Sequence, residues 1–268
     1  MQSKNIHALN MDIGIVSNGD EVLLESFANP SHTWTAMNDP VMGGESFSSV
    51  SVQNNLGVFD GEVVNVPFLQ APGFITMRGN GNYPDVSSCE SLQLTARASE
   101  PYSGYRVSFG NRHVPGNRFA RGYKADFDAP VLEEPDMGTI VIPFDDFTVR
   151  WDDATGDAIV TCEENEEFCP DIDTLKNMKT ISLWGEGVAG KVHLEIESIK
   201  AVGCSSSIAL AREARAKSIE GTSNGDDQIW TASVLLLLVA VAAFSISVIR
   251  KRRQSYNHLN DLSSSPIV

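Results

Sequence analysis

Hydrophobic residues in this chain form two kinds of pattern: short alternating runs and one long unbroken run. Alternation is clearest at Lys191–Ile199. There Val192, Leu194, Ile196 and Ser198 point one way, and Lys191, His193, Glu195 and Glu197 the other. Successive side chains of a strand face opposite sides, so this spacing predicts a half-buried β-strand. Ser91–Ala96 repeats the pattern. GVFDGEVVNV, PGFITMRG, YRVSFG, GYKADF, GTIVIPFDDFTVRW and KTISLWGE are further short runs rich in β-branched and aromatic residues. Gly, Pro, Asn and Asp clusters separate them, as turns require. Many short strands with turn signals between them argue for an all-β sandwich or barrel. Helical spacing falls mainly outside this unit, with a short stretch at Asp171–Met178 inside it.

The unbroken run is Ile229–Ile249, 21 residues without a charge, with Trp230 at one end and Arg250-Lys251-Arg252-Arg253 directly after it. As a helix it is about 31 Å long, the thickness of a bilayer core. It is therefore expected to span a membrane once. The basic residues after it put the tail in the cytosol and the large N-terminal part in a lumen or outside the cell. Met1–Glu21 carries no apolar stretch of signal-peptide length, so a tail-anchored protein with a cytosolic domain is the alternative. The expected organisation is a lead-in at 1–26, a β-sandwich domain at 27–204, a stalk at 205–228, the span at 229–249 and a short basic tail at 250–268. In the tail, Tyr256-Asn-His-Leu259 has the form of a tyrosine-based sorting signal.

Charge follows the same division. The net −15 of the whole chain is −18 over residues 1–228 and +3 over the last 40. An acidic domain argues against nucleic-acid binding, which needs basic surface to displace counterions. Apolar content of 42% excludes a disordered chain. Cys89, Cys162, Cys169 and Cys204 all precede the span, an even number on one side that suits an oxidising compartment. Three pairings are possible. The one expected closes Cys162–Cys169 and ties Cys89 to Cys204 near the domain's two ends. The chain has no C-x-x-C, and no Cys and His stand at metal-ligand spacing, which speaks against zinc.

Candidate binding residues lie in two places. Asn38-Asp39-Pro40 with Met42, Gly43 and Gly44 is turn chemistry. It serves either to position strands or to hold a peptide or sugar. Trp34, just before it, is either a core residue or a stacking platform. Between Pro101 and Ala125, Arg106, Arg112, Arg118, Arg121 and Lys124 are interleaved with aromatics and no acidic residue. Such a stretch either binds an anionic partner through its arginines or neutralises acidic loops. Asp145-Asp146 and Asp152-Asp153 are a remote candidate for a hydrolytic carboxylate pair, and Glu163–Glu167 with Asp171 and Asp173 for calcium. No nucleophile, phosphate-loop or dinucleotide motif is present. Neither an enzyme nor a cofactor is expected.

Trp34 followed by Asn38-Asp39-Pro40-Val41-Met42-Gly43-Gly44-Glu45-Ser46 resembles the signature of the complex I intermediate-associated protein 30 family. Phe59-Asp-Gly61, Pro72-Gly73-Phe74, Arg78, Tyr105–Phe109, Ile142–Phe147 and Leu194–Ile199 follow in the family's order. The resemblance covers roughly Ser31–Val202. It implies a galactose-binding-like jelly roll and a non-catalytic, chaperone-like role in assembling respiratory complex I or another membrane complex. The membrane span and the absence of a mitochondrial transit-peptide composition depart from the mitochondrial pattern. A protein client is thus the expected partner. A lectin-like, glycan-binding domain on a single-pass anchor is the alternative.

Overall fold

Alternation of apolar and polar residues builds two antiparallel sheets whose inner faces share one core. The structure, a computed structural model, describes residues 20–39, 43–111 and 122–222, the last five as backbone only. In chain order the strands are β1 (Glu21–Ser26), β2 (Thr33–Asn38), β3 (Phe47–Gln53), β4 (Leu56–Val63), β5 (Asn65–Val66), β6 (Ala71–Pro72) and β7 (Phe74–Asn80). They continue as β8 (Ser91–Ala98), β9 (Tyr105–Gly110), β10 (Tyr123–Asp126), β11 (Gly138–Pro143), β12 (Thr180–Glu186) and β13 (Gly190–Val202). Among the described residues two short 3-10 turns, Phe144–Asp146 and Glu166–Phe168, and two α-helices complete the fold: α1 (Ile172–Lys176), where helical spacing was expected, and α2 (Ser206–Thr222).

The first sheet runs β11-β8-β13-β4-β3, and β1 also pairs with β13. The second runs β10-β9-β12-β7-β2. Phe59, Leu92, Leu94, Leu194 and Ile196 of the first sheet meet Ile75, Met77, Val107, Phe109, Ile181 and Leu183 of the second, all at most 1% exposed. The fold is a β-sandwich with few helices, the arrangement that apolar alternation on both sheets requires.

β13 departs from the sequence expectation at one point. Its register slips between Ile196 and Ser198, so the alternation changes phase there. Val192, Leu194 and Ile196 are buried as expected, but Ile199 and Ala201 continue the core side and Ser198 does not. A bulge of this kind places two residues against one of the neighbouring strand and bends it. It separates the half of β13 that pairs with β4 (Gly190–Ile196) from the half that pairs with β1 (Ser198–Val202).

Both ends of the domain are held more firmly than a lead-in and a stalk would be. Glu21–Ser26 belongs to the sheet as β1, with Leu24 in the core. α2 is docked. Arg212 Nη1 donates to the carbonyls of Ser87 (2.9 Å) and Cys89 (2.7 Å), and its guanidinium lies over Phe144. Glu213 pairs with Lys176 at 3.1 Å and Arg215 with Glu166 at 3.2 Å. Cys89 is bonded to Cys204, joining the approach to β8 to the end of β13, and Cys162 to Cys169 in the loop before α1. Among the described residues no helix is long and apolar enough to cross a membrane. The expected span at 229–249 and the basic tail lie outside the described residues.

Candidate functional site

The signature stretch lies where β2 leaves the second sheet and the chain returns as β3 in the first. Trp34, one of its candidate binding residues, is 9% exposed and faces inward. Its Nε1 donates to Glu25 Oε2 at 2.9 Å. Glu25 is itself fully buried and also accepts from the backbone of Ser26, Ser31 and His32 and from the His32 ring. Burial raises the Glu25 pKa, but these donors outweigh it and the net shift is downward. Trp34 therefore anchors the crossing between sheets and offers no stacking surface.

Asn38 Oδ1 accepts from Ser48 Oγ at 2.6 Å, which ties the end of β2 to β3. Asp39 is 5% exposed, and among the described residues neither carboxylate oxygen meets a donor at bonding geometry. Its polar neighbour Ser46 instead accepts from Val64 N at 3.0 Å and donates to Val64 O at 3.4 Å. Burial accordingly pushes the Asp39 pKa up. A side chain at Gly44 or Gly73 would overlap this carboxylate, which is why both positions suit glycine. Gly43 has φ +76°, a left-handed conformation that glycine adopts without strain. The described part of the signature is turn architecture closed around a buried acid. Met42 lies outside the described residues.

The outer face of the second sheet carries buried charge, in Arg78, Arg106, Lys124 and Glu186. Strand pairing lines up Met37, Thr76, Trp184, Arg106 and Asp126 in one transverse row. Thr35, Arg78, Ser182, Ser108 and Lys124 form the next. In most proteins such a face would be solvated, but here a loop roofs it. Thr148 and Lys124 exchange backbone hydrogen bonds of 2.9 and 3.0 Å. Lys124 Nζ lies 3.7 Å from the Trp151 ring centroid, 3.9 Å from that of Trp184 and 2.6 Å from Glu186 Oε1. Burial pushes the Lys124 pKa down and the Glu186 pKa up, so the contact must offset the desolvation of both groups. Arg106 is also engaged, though by an exposed acid: its Nη2 donates to Asp157 Oδ1 at 2.7 Å, and this bond holds the Asp157 pKa down. Arg112, Arg118 and Arg121 lie outside the described residues, so Arg106 and Lys124 alone report on the basic stretch. Both are internal partners of acids in the roof and the sheet. Glu186, Trp151 and Asp157 carried no sequence signal, because their partners are 29 to 62 residues away.

The outer face of the first sheet is different. A groove of about 980 Å³ crosses it, lined by Ser49, Ser51, Asp60, Arg97, His193 and Glu195 among others. Arg97 binds Glu195 and Glu134, and His193 Nδ1 lies 2.9 Å from Asp60. These side chains can offer hydrogen bonds and charge to a partner. No Trp, Tyr or Phe is among the described lining residues. Other sequence candidates are engaged within the domain: Asp171 accepts from Tyr123, Asp173 from Asn111, and Glu166 pairs with Arg215. Asp152 Oδ1 accepts from the backbone of Ala154 and Thr155, and Glu164 Oε2 from that of Thr161. Among the described residues no three His, Cys, Asp or Glu side chains converge as a metal site.

The family model described as Complex I intermediate-associated protein 30 (CIA30) matches residues 25–160, just over half of the chain. No curated protein matches it. Several solved structures are similar at low identity. The family 11 carbohydrate-binding module from Clostridium thermocellum, in complex with a β-1,3-1,4-mixed-linked tetrasaccharide, is 16% identical with a TM-score of 0.47 over 69% of this chain and 96% of that one. The agarase AgWH50C is 11% identical, TM-score 0.41, over 75% and 31%. A putative sugar-binding protein from Bacteroides thetaiotaomicron is 12% identical, TM-score 0.36, over 67% and 92%. At these TM-scores the similarities say nothing about what this chain binds.

Proposed function

This chain belongs to the complex I intermediate-associated protein 30 family, and on that premise we propose that it is a membrane-tethered, non-enzymatic domain that holds a protein client during assembly of a membrane complex. Family membership carries the reading. The internal use of Trp34, Arg106 and Lys124 supports it, because these candidates for small-molecule contact are taken up by Glu25, Asp157 and Glu186. The client is then met by outer surface. The span at 229–249 anchors the domain, with the tail in the cytosol and the domain in an oxidising lumen or outside the cell. The two disulfides support that placement.

Affinity capture of the tagged full chain from gently solubilised membranes tests the function. Subunits or assembly intermediates of a membrane complex are expected, and their absence under crosslinking rejects the reading. Protease protection of sealed membranes tests the topology; digestion of the domain with the tail protected would reverse it. A glycan reading draws on the polar groove, whose hydroxyls, amides and carboxylates suit a sugar. The absence of a Trp, Tyr or Phe platform among its described residues weighs against it. A purified protein that binds arrayed glycans at micromolar strength would restore it.

A further inference from the structure

The terminal strands of the two sheets, β11 and β3 of the first and β10 and β2 of the second, are finished differently. At one side β10 is closed by the roof, through its backbone bonds to Thr148. At the other, β2 and β3 are both terminal strands among the described residues, and neither pairs with the other. The signature turn joins these two open edges. β3 reads Phe-Ser-Ser-Val-Ser-Val-Gln and keeps unbroken register with β4 from Phe47↔Glu62 to Gln53↔Leu56. It has no Lys, Pro or bulge, the usual devices that stop an edge from accepting another strand. Phe47 and Val52 are 57% and 49% exposed along it. In an acidic domain this uncharged, regular edge is the opposite of a protected one.

Charge indicates what it receives. Ser49, Ser51 and Gln53 of β3 line the groove, whose carboxylates Asp60, Glu134, Glu195 and Glu197 outnumber Arg97 and Lys200. Arg97 is paired with Glu195 and Glu134, Lys200 with Glu21 and His193 with Asp60, which leaves the lining with more carboxylates than Lys and Arg side chains. A second copy of this chain would bring the −18 of its residues 1–228 against another −18, which disfavours self-pairing. We propose that β3 is the receiving edge for an extended, basic segment of a client protein, which adds as a further strand to the first sheet. The added strand satisfies the outward amides and carbonyls of β3, and its alternate Lys or Arg side chains lie over the acidic groove. This proposal rests on the client-binding reading and names the surface it uses.

The test uses the full chain in lipid nanodiscs and a labelled ten-residue peptide alternating Lys and Val. Controls are its Glu-Val counterpart and a version N-methylated at every amide. Saturable binding of the Lys-Val peptide is expected, with hydrogen exchange slowed at least tenfold within Phe47–Gln53. Val52→Lys, at an exposed position, is expected to weaken binding at least tenfold while leaving thermal unfolding unchanged. The N-methylated and Glu-Val peptides are expected to lose at least as much. The proposal is overturned if the Lys-Val peptide does not bind, or if the N-methylated peptide binds within twofold. Protection falling outside Phe47–Gln53, or a dimer protected at those residues without peptide, overturns it equally. Client capture separates the two claims. Val52→Lys protein that captures as much client as the unmodified chain removes this edge and leaves the function standing. An unmodified chain that captures none removes the function, while the peptide measurements still decide the edge.

Discussion

The outer faces of the two sheets are alike in sequence, and the lysine–carboxylate pairs Lys200–Glu21 and Lys124–Glu186 lie far apart in exposure on them. Both alternate polar with apolar residues, and both carry basic side chains paired with acids. On the first sheet Lys200 and Glu21 meet at 3.0 Å with side chains 28% and 46% exposed. On the second, Lys124 and Glu186 meet at 2.6 Å with side chains 0% and 4% exposed, between two indole rings. Water screens the first pair and leaves it worth little. The second pair has lost its water, so each charge depends on the other. Alternation thus identifies which residues leave the core, and the covering loop decides what leaving the core costs.

Breaking the buried pair has the largest expected effect. Lys124→Met strands the Glu186 carboxylate and is expected to destabilise the fold by about 3–5 kcal/mol, read as a lower urea midpoint. Adding Glu186→Met to it should recover much of that loss. If Lys124→Met alone is neutral, the roof admits water and the contrast between the faces fails.

Next comes the crossing between the sheets. Glu25→Gln replaces a buried acceptor of charged hydrogen bonds with an amide that carries its own donors, a loss of about 2–3 kcal/mol at neutral pH. Folding lowers the Glu25 pKa, so the unfolded chain takes up the proton more readily. The carboxylate's contribution is complete above its ordinary value of 4.5 and is lost as the pH falls through the lower folded value. The gap between the unmodified and Glu25→Gln proteins should therefore close in acid. Melts at neutral pH and below this range measure it, and a constant gap would contradict the role given to Glu25.

Loosening the roof itself is expected to cost less. Cys162 and Cys169 are seven residues apart, and a loop that short loses about 2 kcal/mol of constraint when both become Ala. Exchange at Trp151 and Thr148 would show whether the roof opens as a result. The smallest effect belongs to the first sheet's face. Lys200→Met should shift stability by less than about 1 kcal/mol, and a larger loss would show that this face is also covered.

Several of these features were legible in the chain. The alternation at Val192, Leu194 and Ile196 indicated both a strand and its core side, because side-chain direction in a strand is local geometry. The same rule misplaced Ser198, because a bulge is set by the neighbouring strands β4, β1 and β8. Spacing could not predict the use of Arg106. A run of basic residues reads as available charge until Asp157, 51 positions later, is brought against it. Glu25 lay in a segment without clear periodicity, and only the meeting of Trp34, His32 and two backbone turns makes it central.

The sequence by itself determined the class of fold, several of the strands from β4 onward, the acidic charge of residues 1–228 and, through the Asn38–Ser46 signature, the family. Each depends on neighbours along the chain or on residue identity at fixed spacing. Only the tertiary structure decided that Asp39 is enclosed by Gly44 and Gly73, that Lys124 is buried between two tryptophans, and that α2 is latched by Arg212. It alone decided which strands are terminal among the described residues. Those properties depend on which distant segments come into contact and on whether water remains between them, and neither is a function of local sequence.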